Sequence, residues 1–156
     1  MGKMRLMSES IRTWLMRVLF FLHPAYRGTG GKVIYISSDW GEVRVEIPLN
    51  WRTRNYVGTI FGGSMYAAID PIFMLMLIKR LGPEFIVWDK EALIRFKKPG
   101  KRKLFAKFLI SDQEIETIRH ELDLQRSIDR MYLVELVDED GNVIAEIEKK
   151  IYLRRK

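Results

Sequence analysis

The chain contains no cysteine, so disulfides, thiolate nucleophiles and thiolate metal sites are excluded. Imidazole is almost as scarce: His23 and His120 stand far apart and cannot assemble a multi-histidine centre, so no metal site is expected. Long apolar runs are missing too. The N-terminal segment is interrupted by Arg12 and Arg17, and the run over 72–78 is short. Neither reaches the roughly 18 uninterrupted apolar residues that a membrane span requires. No small-residue cleavage site follows a clean apolar core, so no signal peptide is read and a cytoplasmic location is expected. There is also no internal repeat, low-complexity tract or obvious linker.

What remains describes one soluble domain. Hydrophobic residues make up 47% of 156 positions, enough for a real core at this length. The formal net charge of +7 favours an anionic partner without choosing among nucleic acid, an acidic membrane surface and a phosphorylated small molecule.

Periodicity supplies the elements. "SESIRTWLMRVLFFL" predicts a helix over 8–22 with Ser8 as N-cap, ended by His23-Pro24. Its stripe of Ile11, Trp14, Leu15, Val18 and Leu22 is expected to pack on the domain, with contact to a membrane surface as the alternative. "RGTGGKV" fails as a phosphate loop, because Tyr26 and Val33 stand where Gly and Ser or Thr are required. "GEVRVEIPL" alternates as a strand with Val43, Val45 and Ile47 on one face, after a turn at Asp39-Trp40-Gly41. Further strands are read in "FIVWDKEALIRFKK", with Ala92, Ile94 and Phe96 on one side, and in "KLFAKFLI". Pro99-Gly100 turns between these two. "SDQEIETIRHELDLQ" reads as a helix with a capping box, Ser111 with Glu114, and an apolar face of Ile115, Ile118 and Leu122. A hairpin closes the chain around Asp138–Gly141.

The stretch "GTIFGGSMYAAIDPIFMLMLIKRLG" carries the question of function. It is apolar nearly all round, yet Asp70 sits in its middle with Pro71 behind it. A buried carboxylate is costly unless paired, hydrogen-bonded or kept for chemistry. Asp-Pro also starts many helices, with Asp as N-cap, so two helices with Asp70 capping the second is the structural alternative. An antiparallel sheet must cover its apolar face, and this segment is the element able to do so. Its other side is expected to be buried by a second subunit.

A sheet wrapped around one apolar helix is similar to the hotdog fold, an α+β architecture with the extra N-terminal helix outside it. "NYVGTIFGGSMYAAID" resembles the Asn-x-x-Gly-Thr-x-His-Gly-Gly segment of phenylacetyl-CoA-type hotdog thioesterases, which carries an acidic residue seven positions past its second glycine. Asn55, Gly58, Thr59, Gly62, Gly63 and Asp70 match; the histidine position is Phe61. The wider pattern, through "IVWDKEALIRFKKPG", resembles an uncharacterised branch described as tetrameric acyl-CoA thioesterases. The resemblance covers residues 30 to 155 and implies an N-terminal helix over 1–27 followed by a hotdog domain over 28–156. It implies acyl-CoA hydrolysis by a homodimer or homotetramer without a cofactor, coenzyme A entering as part of the substrate.

In that reading Asp70 is the base or nucleophile, and the Gly62 amide, at a helix N-terminus, holds the carbonyl oxygen. Eight residues of helix separate them by roughly 12 Å, so the two must serve one thioester across subunits. Asn55, Thr59 and Gly63 are candidate substrate contacts, with a loop-structuring role open for Asn55 and Thr59, and Phe61 is a pocket wall. Met65, Tyr66, Met74 and Trp88 are candidates for an acyl tunnel. The cluster "RFKKPGKRK", Lys97 and Lys98 above all, is a candidate for coenzyme A phosphates, or else a solvated surface hairpin. An acyl-CoA-binding protein without catalysis is the alternative function. A nucleic-acid partner is not expected, because no aromatic platform for RNA is arranged recognisably.

Overall fold

The computed structural model describes residues 8–156. These form five helices and six strands. In chain order they are α1 (Ile11–Leu22), α2 (Pro24–Gly28), β1 (Lys32–Ile36), β2 (Glu42–Ile47), α3 (Gly62–Ile69), α4 (Ile72–Leu81), β3 (Phe85–Phe96), β4 (Leu104–Leu109), α5 (Asp112–Leu124), β5 (Ser127–Val137) and β6 (Val143–Arg155). The strands make a single antiparallel sheet in the order β1-β2-β4-β5-β6-β3. α3 and α4 lie on its apolar face, burying Met65, Ala68, Ile69, Ile72, Phe73, Met76 and Leu77. The sheet answers with Val43, Val45, Ile47, Phe108, Ile147 and Ile151, each taken from an alternating strand. Phe73 meets Phe108 edge-on at 4.9 Å and stacks on Tyr132 at 4.8 Å. This is the hotdog arrangement, with an N-terminal helix added.

The central segment is two helices. Pro71 has no N–H to give, and the chain turns through Asp70 and Pro71 before α4 begins. Asp70 does not cap α4, which has no side-chain cap.

α1 corrects the expected stripe. Its N-cap is Ser10, whose hydroxyl accepts from the Thr13 N–H at 3.2 Å while the Thr13 hydroxyl accepts from the Ser10 N–H at 2.9 Å. The inward positions are Thr13, Met16, Arg17 and Phe20, and Arg17 donates to the Ile34 carbonyl at 2.5 Å. Ile11, Trp14, Leu15 and Leu22 face outward and are exposed. The helix is apolar on most sides, so spacing could not choose its face. The capping box and Arg17 decide it. The outer side of the central helices is therefore covered in part by this chain itself: the buried Tyr26 hydroxyl of α2 donates to the Ala68 carbonyl at 2.9 Å.

β3 and β4 are not a hairpin. β5 and β6 lie between them, so 97–103 is a crossover rather than a tight surface turn. At α5, Ser111 accepts from the Glu114 N–H at 3.1 Å, but the Glu114 carboxylate turns to Tyr132 and Arg130 instead of completing the box. The Asp138–Gly141 hairpin forms as expected, with Gly141 at φ 80°. Among the described residues, no helix is long and apolar enough to cross a membrane.

Candidate active site

Asp70 ends α3, and its carboxylate is held from two directions. One turn earlier, Tyr66 donates its hydroxyl to Oδ1 at 2.6 Å. From β6, the Lys149 ammonium reaches the same oxygen at 2.5 Å. Both bonds fall on Oδ1, and among the described residues Oδ2 has no hydrogen-bond partner. The side chain stays 40% exposed. Asp70 is therefore not a lone carboxylate in apolar surroundings. It is an anchored one with an oxygen to spare.

Lys149 is the residue that sequence reasoning missed, although its signal was present. β6 alternates, with Ala145, Ile147, Ile151 and Leu153 buried, and Lys149 occupies the same row at 1% exposure. A lysine there needs partners. It has Asp70, the Tyr66 hydroxyl at 3.4 Å, and Asp89 Oδ1 at 3.2 Å. Burial presses the Lys149 pKa down, but the bond to Asp70 and the charges of Asp89 and Asp70 outweigh it. The pKa ends above the ordinary value and the ammonium stays charged.

Asp89 reaches this cluster because β3 is bulged between Asp89 and Glu91. Opposite residues share a face, so Asp89 beside Ile151 and Ala92 beside Lys149 both point inward. Asp89 Oδ1 is buried and lies outside hydrogen-bonding geometry to the ammonium. Burial pushes its carboxyl above the ordinary range; Lys149 opposes this and the charge on Asp70 adds to it. Burial, then the bond to Asp70, likewise raises the Tyr66 phenol, which remains a donor at neutral pH. With Tyr66 neutral, two carboxylates and one ammonium leave the cluster one negative charge.

Asp70 and Tyr66 border a cavity of about 550 Å³ between the α1–α2 layer and the central helices. Gly62 belongs to a different one, of about 640 Å³, lined by Asn55, Thr59, Met65, Phe96, Lys97, Lys98 and Lys101. Phe61 is the N-cap of α3 and offers no side-chain acceptor, so the first amides of the helix, Gly62 and Gly63, are left for another partner. A Cβ on Gly62 would sit 2.8 Å from the Phe96 ring, and one on Gly63 would be 2.3 Å from Phe61. Phe61 itself is exposed. The crossover is stitched to this turn where the Ile60 N–H donates to the Gly100 carbonyl at 2.8 Å.

Asn55 and Thr59 build the loop. Asn55 Oδ1 accepts from the Val57 and Thr59 amides at 3.1 and 3.0 Å, and its Nδ2 donates to the Thr59 hydroxyl at 2.9 Å. Of the basic cluster, Arg95, Lys97, Arg102 and Lys103 are ion-paired with Glu148, Glu146, Asp140 and Glu46. Lys98 has only Asn142, at 3.4 Å. Within one protomer the structure thus gathers Asp70 and Tyr66 at one cavity, and Gly62, Asn55, Thr59, Met65, Lys97 and Lys98 at another. Trp88 borders neither. It sits on the outer face of β3, opposite Tyr152 and 65% exposed. Among the described residues, no group of three or more His, Cys, Asp or Glu converges to hold a metal ion.

A family model described as a domain of unknown function, DUF4442, matches residues 12–153. Curated proteins give no sequence match. Similar solved structures include a protein of unknown function from Pseudomonas aeruginosa described as a probable thioesterase, at 21% identity and TM-score 0.82 over 97% of this chain and 99% of that one. A thioesterase from Haemophilus influenzae aligns at 12% identity and TM-score 0.68, covering 96% and 95%. A protein of unknown function from Chlorobaculum tepidum aligns at 11% and 0.73, covering 93% and 95%.

Proposed function

Because the chain belongs to the DUF4442 family, whose description carries no activity, we propose its function from the site: hydrolysis of an acyl-CoA thioester at a centre shared by two copies of the chain. The observation that carries this reading is the carboxylate of Asp70, anchored through Oδ1 by Tyr66 and Lys149 yet open to solvent, at the wall of a cavity. The thioesterase names of two similar structures support the reaction class.

In this reading Asp70 Oδ2 takes a proton from water as the water oxygen attacks the thioester carbon. The carbonyl oxygen gains the negative charge and is held by the amide of Gly62 of the partner subunit. Collapse breaks the C–S bond, and the proton passes from Asp70 to the departing thiolate, restoring the carboxylate. Lys149 and Tyr66 position Asp70 throughout. Two observations favour the shared site: Gly62 and Asp70 of one chain serve separate cavities, and β3 presents an unpaired edge with Trp88, Leu93 and Phe96 exposed. Lys98 and Lys101, which line the same cavity as Gly62, suit the phosphates of coenzyme A.

The test is thiol release from a panel of acyl-CoAs, with Asp70→Asn as comparison. Loss of about 10²–10⁴-fold in kcat is expected for a removed general base, with binding retained. Turnover unchanged in Asp70→Asn overturns the assignment. Binding without turnover in both forms supports the acyl-CoA-binding alternative. An active monomer by light scattering ends the shared site.

A further inference from the structure

We propose that the cavity roofed by α1 and α2 is the acyl-chain half of the site, and that it takes the straight, unsubstituted hydrocarbon chain of a thioester. This rests on the reading of Asp70 given above. The cavity is about 550 Å³, within the range of small-molecule sites. Met16, Leu19 and Phe20 of α1 form one wall, and Ala67, Pro71 and Leu75 of the central helices form the other.

Two of the hydroxyls at its border are already committed within the protein. The Tyr26 hydroxyl donates to the Ala68 carbonyl at 2.9 Å. The Thr29 hydroxyl donates to the Tyr26 carbonyl at 2.7 Å and accepts from the Gly31 amide at 3.1 Å. His23 is exposed at the outer border. Away from His23 and the Asp70 edge, a hydroxylated or charged chain therefore loses water and meets no uncommitted side chain among the lining residues, whereas a methylene chain loses nothing. Reactive polarity is confined to the edge formed by Asp70 and Tyr66, which fixes the direction of entry: carbonyl at Asp70, methyl end beneath α1. The cluster's net negative charge also disfavours the carboxylate of a released acid at that edge, so the site discriminates thioester from product.

The occupant follows from continuity with Asp70, which lines the same cavity.

The experiment measures dissociation constants of S-alkyl-CoA thioethers, which cannot be hydrolysed, from butyl to hexadecyl, against coenzyme A alone. Wild type should tighten about fourfold for each added methylene until the cavity is filled. Two variants fill it from opposite walls: Leu19→Trp, at an exposed position that tolerates bulk, and Ala67→Leu on α3. Either one that folds, judged by circular dichroism, should stop the gain at a shorter chain and leave coenzyme A binding unchanged. Affinity independent of chain length, or a series that neither variant shortens, overturns the proposal. The outcomes separate the two readings. Asp70-dependent hydrolysis with an unshortened series removes the cavity and keeps the reaction. A shortened series without any hydrolysis removes the reaction and keeps the cavity.

Discussion

Lys149→Met tests whether the buried ammonium organises this site. The side chain is 1% exposed and serves two carboxylates, so its loss takes the cluster from one negative charge to two. Breaking a buried ion pair costs about 3–5 kcal/mol. The Asp70 contact deserves less, because that carboxylate is 40% exposed and water screens it toward the 0–1 kcal/mol of a surface pair. Most of the loss then falls on Asp89, and we expect about 2–3 kcal/mol at neutral pH, or roughly a 1–2 M fall in the urea midpoint.

The pH dependence has a definite sign. The Asp89 carboxyl is already raised by burial, and removing Lys149 takes away what opposes that rise. A carboxyl with a raised folded pKa favours folding below its unfolded value, near 3.8, and loses that contribution as pH rises through the folded value. The variant should therefore regain part of its loss relative to wild type on acidification. Urea unfolding at neutral pH and near pH 4.5, at one protein concentration so that assembly does not intrude, reads both effects. Adding Asp89→Asn should recover at least about 1 kcal/mol. A loss below about 0.5 kcal/mol, or one unchanged by pH and by Asp89→Asn, refutes the reasoning.

Tyr66→Phe removes a charge-assisted bond of 2.6 Å, and kcat should fall about tenfold with KM nearly unchanged; steady-state kinetics would show an unaltered kcat if the hydroxyl is idle. Gly62→Ala should lower kcat about tenfold, because its Cβ would meet the Phe96 ring at 2.8 Å and shift the helix start that carries the amide, and Phe96→Ala should restore part of it; no rescue would mean that space is not the reason for glycine. Asp39→Ala loses two bonds to Oδ1, from the Ser37 hydroxyl at 2.6 Å and the Gly41 amide at 3.0 Å, in a turn where Trp40 sits at φ 61°. Burial raises the Asp39 pKa, but those bonds outweigh it and leave it lowered. The stabilisation, about 1 kcal/mol, is present above the unfolded value of 3.8 and vanishes as pH falls through the folded one. Thermal melts at pH 7 and pH 2.5 check it: a difference that persists in acid contradicts the assignment.

Much of the fold was legible wherever one face met the core and the other met water. Val43, Val45 and Ile47 on β2, and Ile115, Ile118 and Leu122 on α5, are buried as their spacing implied. α1 failed because apolar residues surround it and its inward face includes Thr13 and Arg17. Asp89 was not singled out, for a sharper reason. Ala92, Ile94 and Phe96 were correctly put on one side, but strict alternation then sends Asp89 to the other, and only the bulge returns it inward. Lys149 was readable in the alternation of β6 but was not singled out. The β1–β2 and β5–β6 pairings were readable from their turns, but the place of β3 in the sheet was not, since Pro99-Gly100 reads alike in a hairpin and in a crossover.

The bond from Ile60 to Gly100 has a mechanical meaning. It fastens the lysine-bearing crossover to the residues just ahead of the amides that open α3, so in the proposed reading the groups offered to a ligand's anionic tail and to its carbonyl would share one strut. That bond sets the spacing of the two backbones, while the exposed lysine side chains keep their own reach. On the proposed reading, an analogue whose arm between phosphate and thioester is shortened beyond the reach of the lysine side chains would have to surrender one end to keep the other.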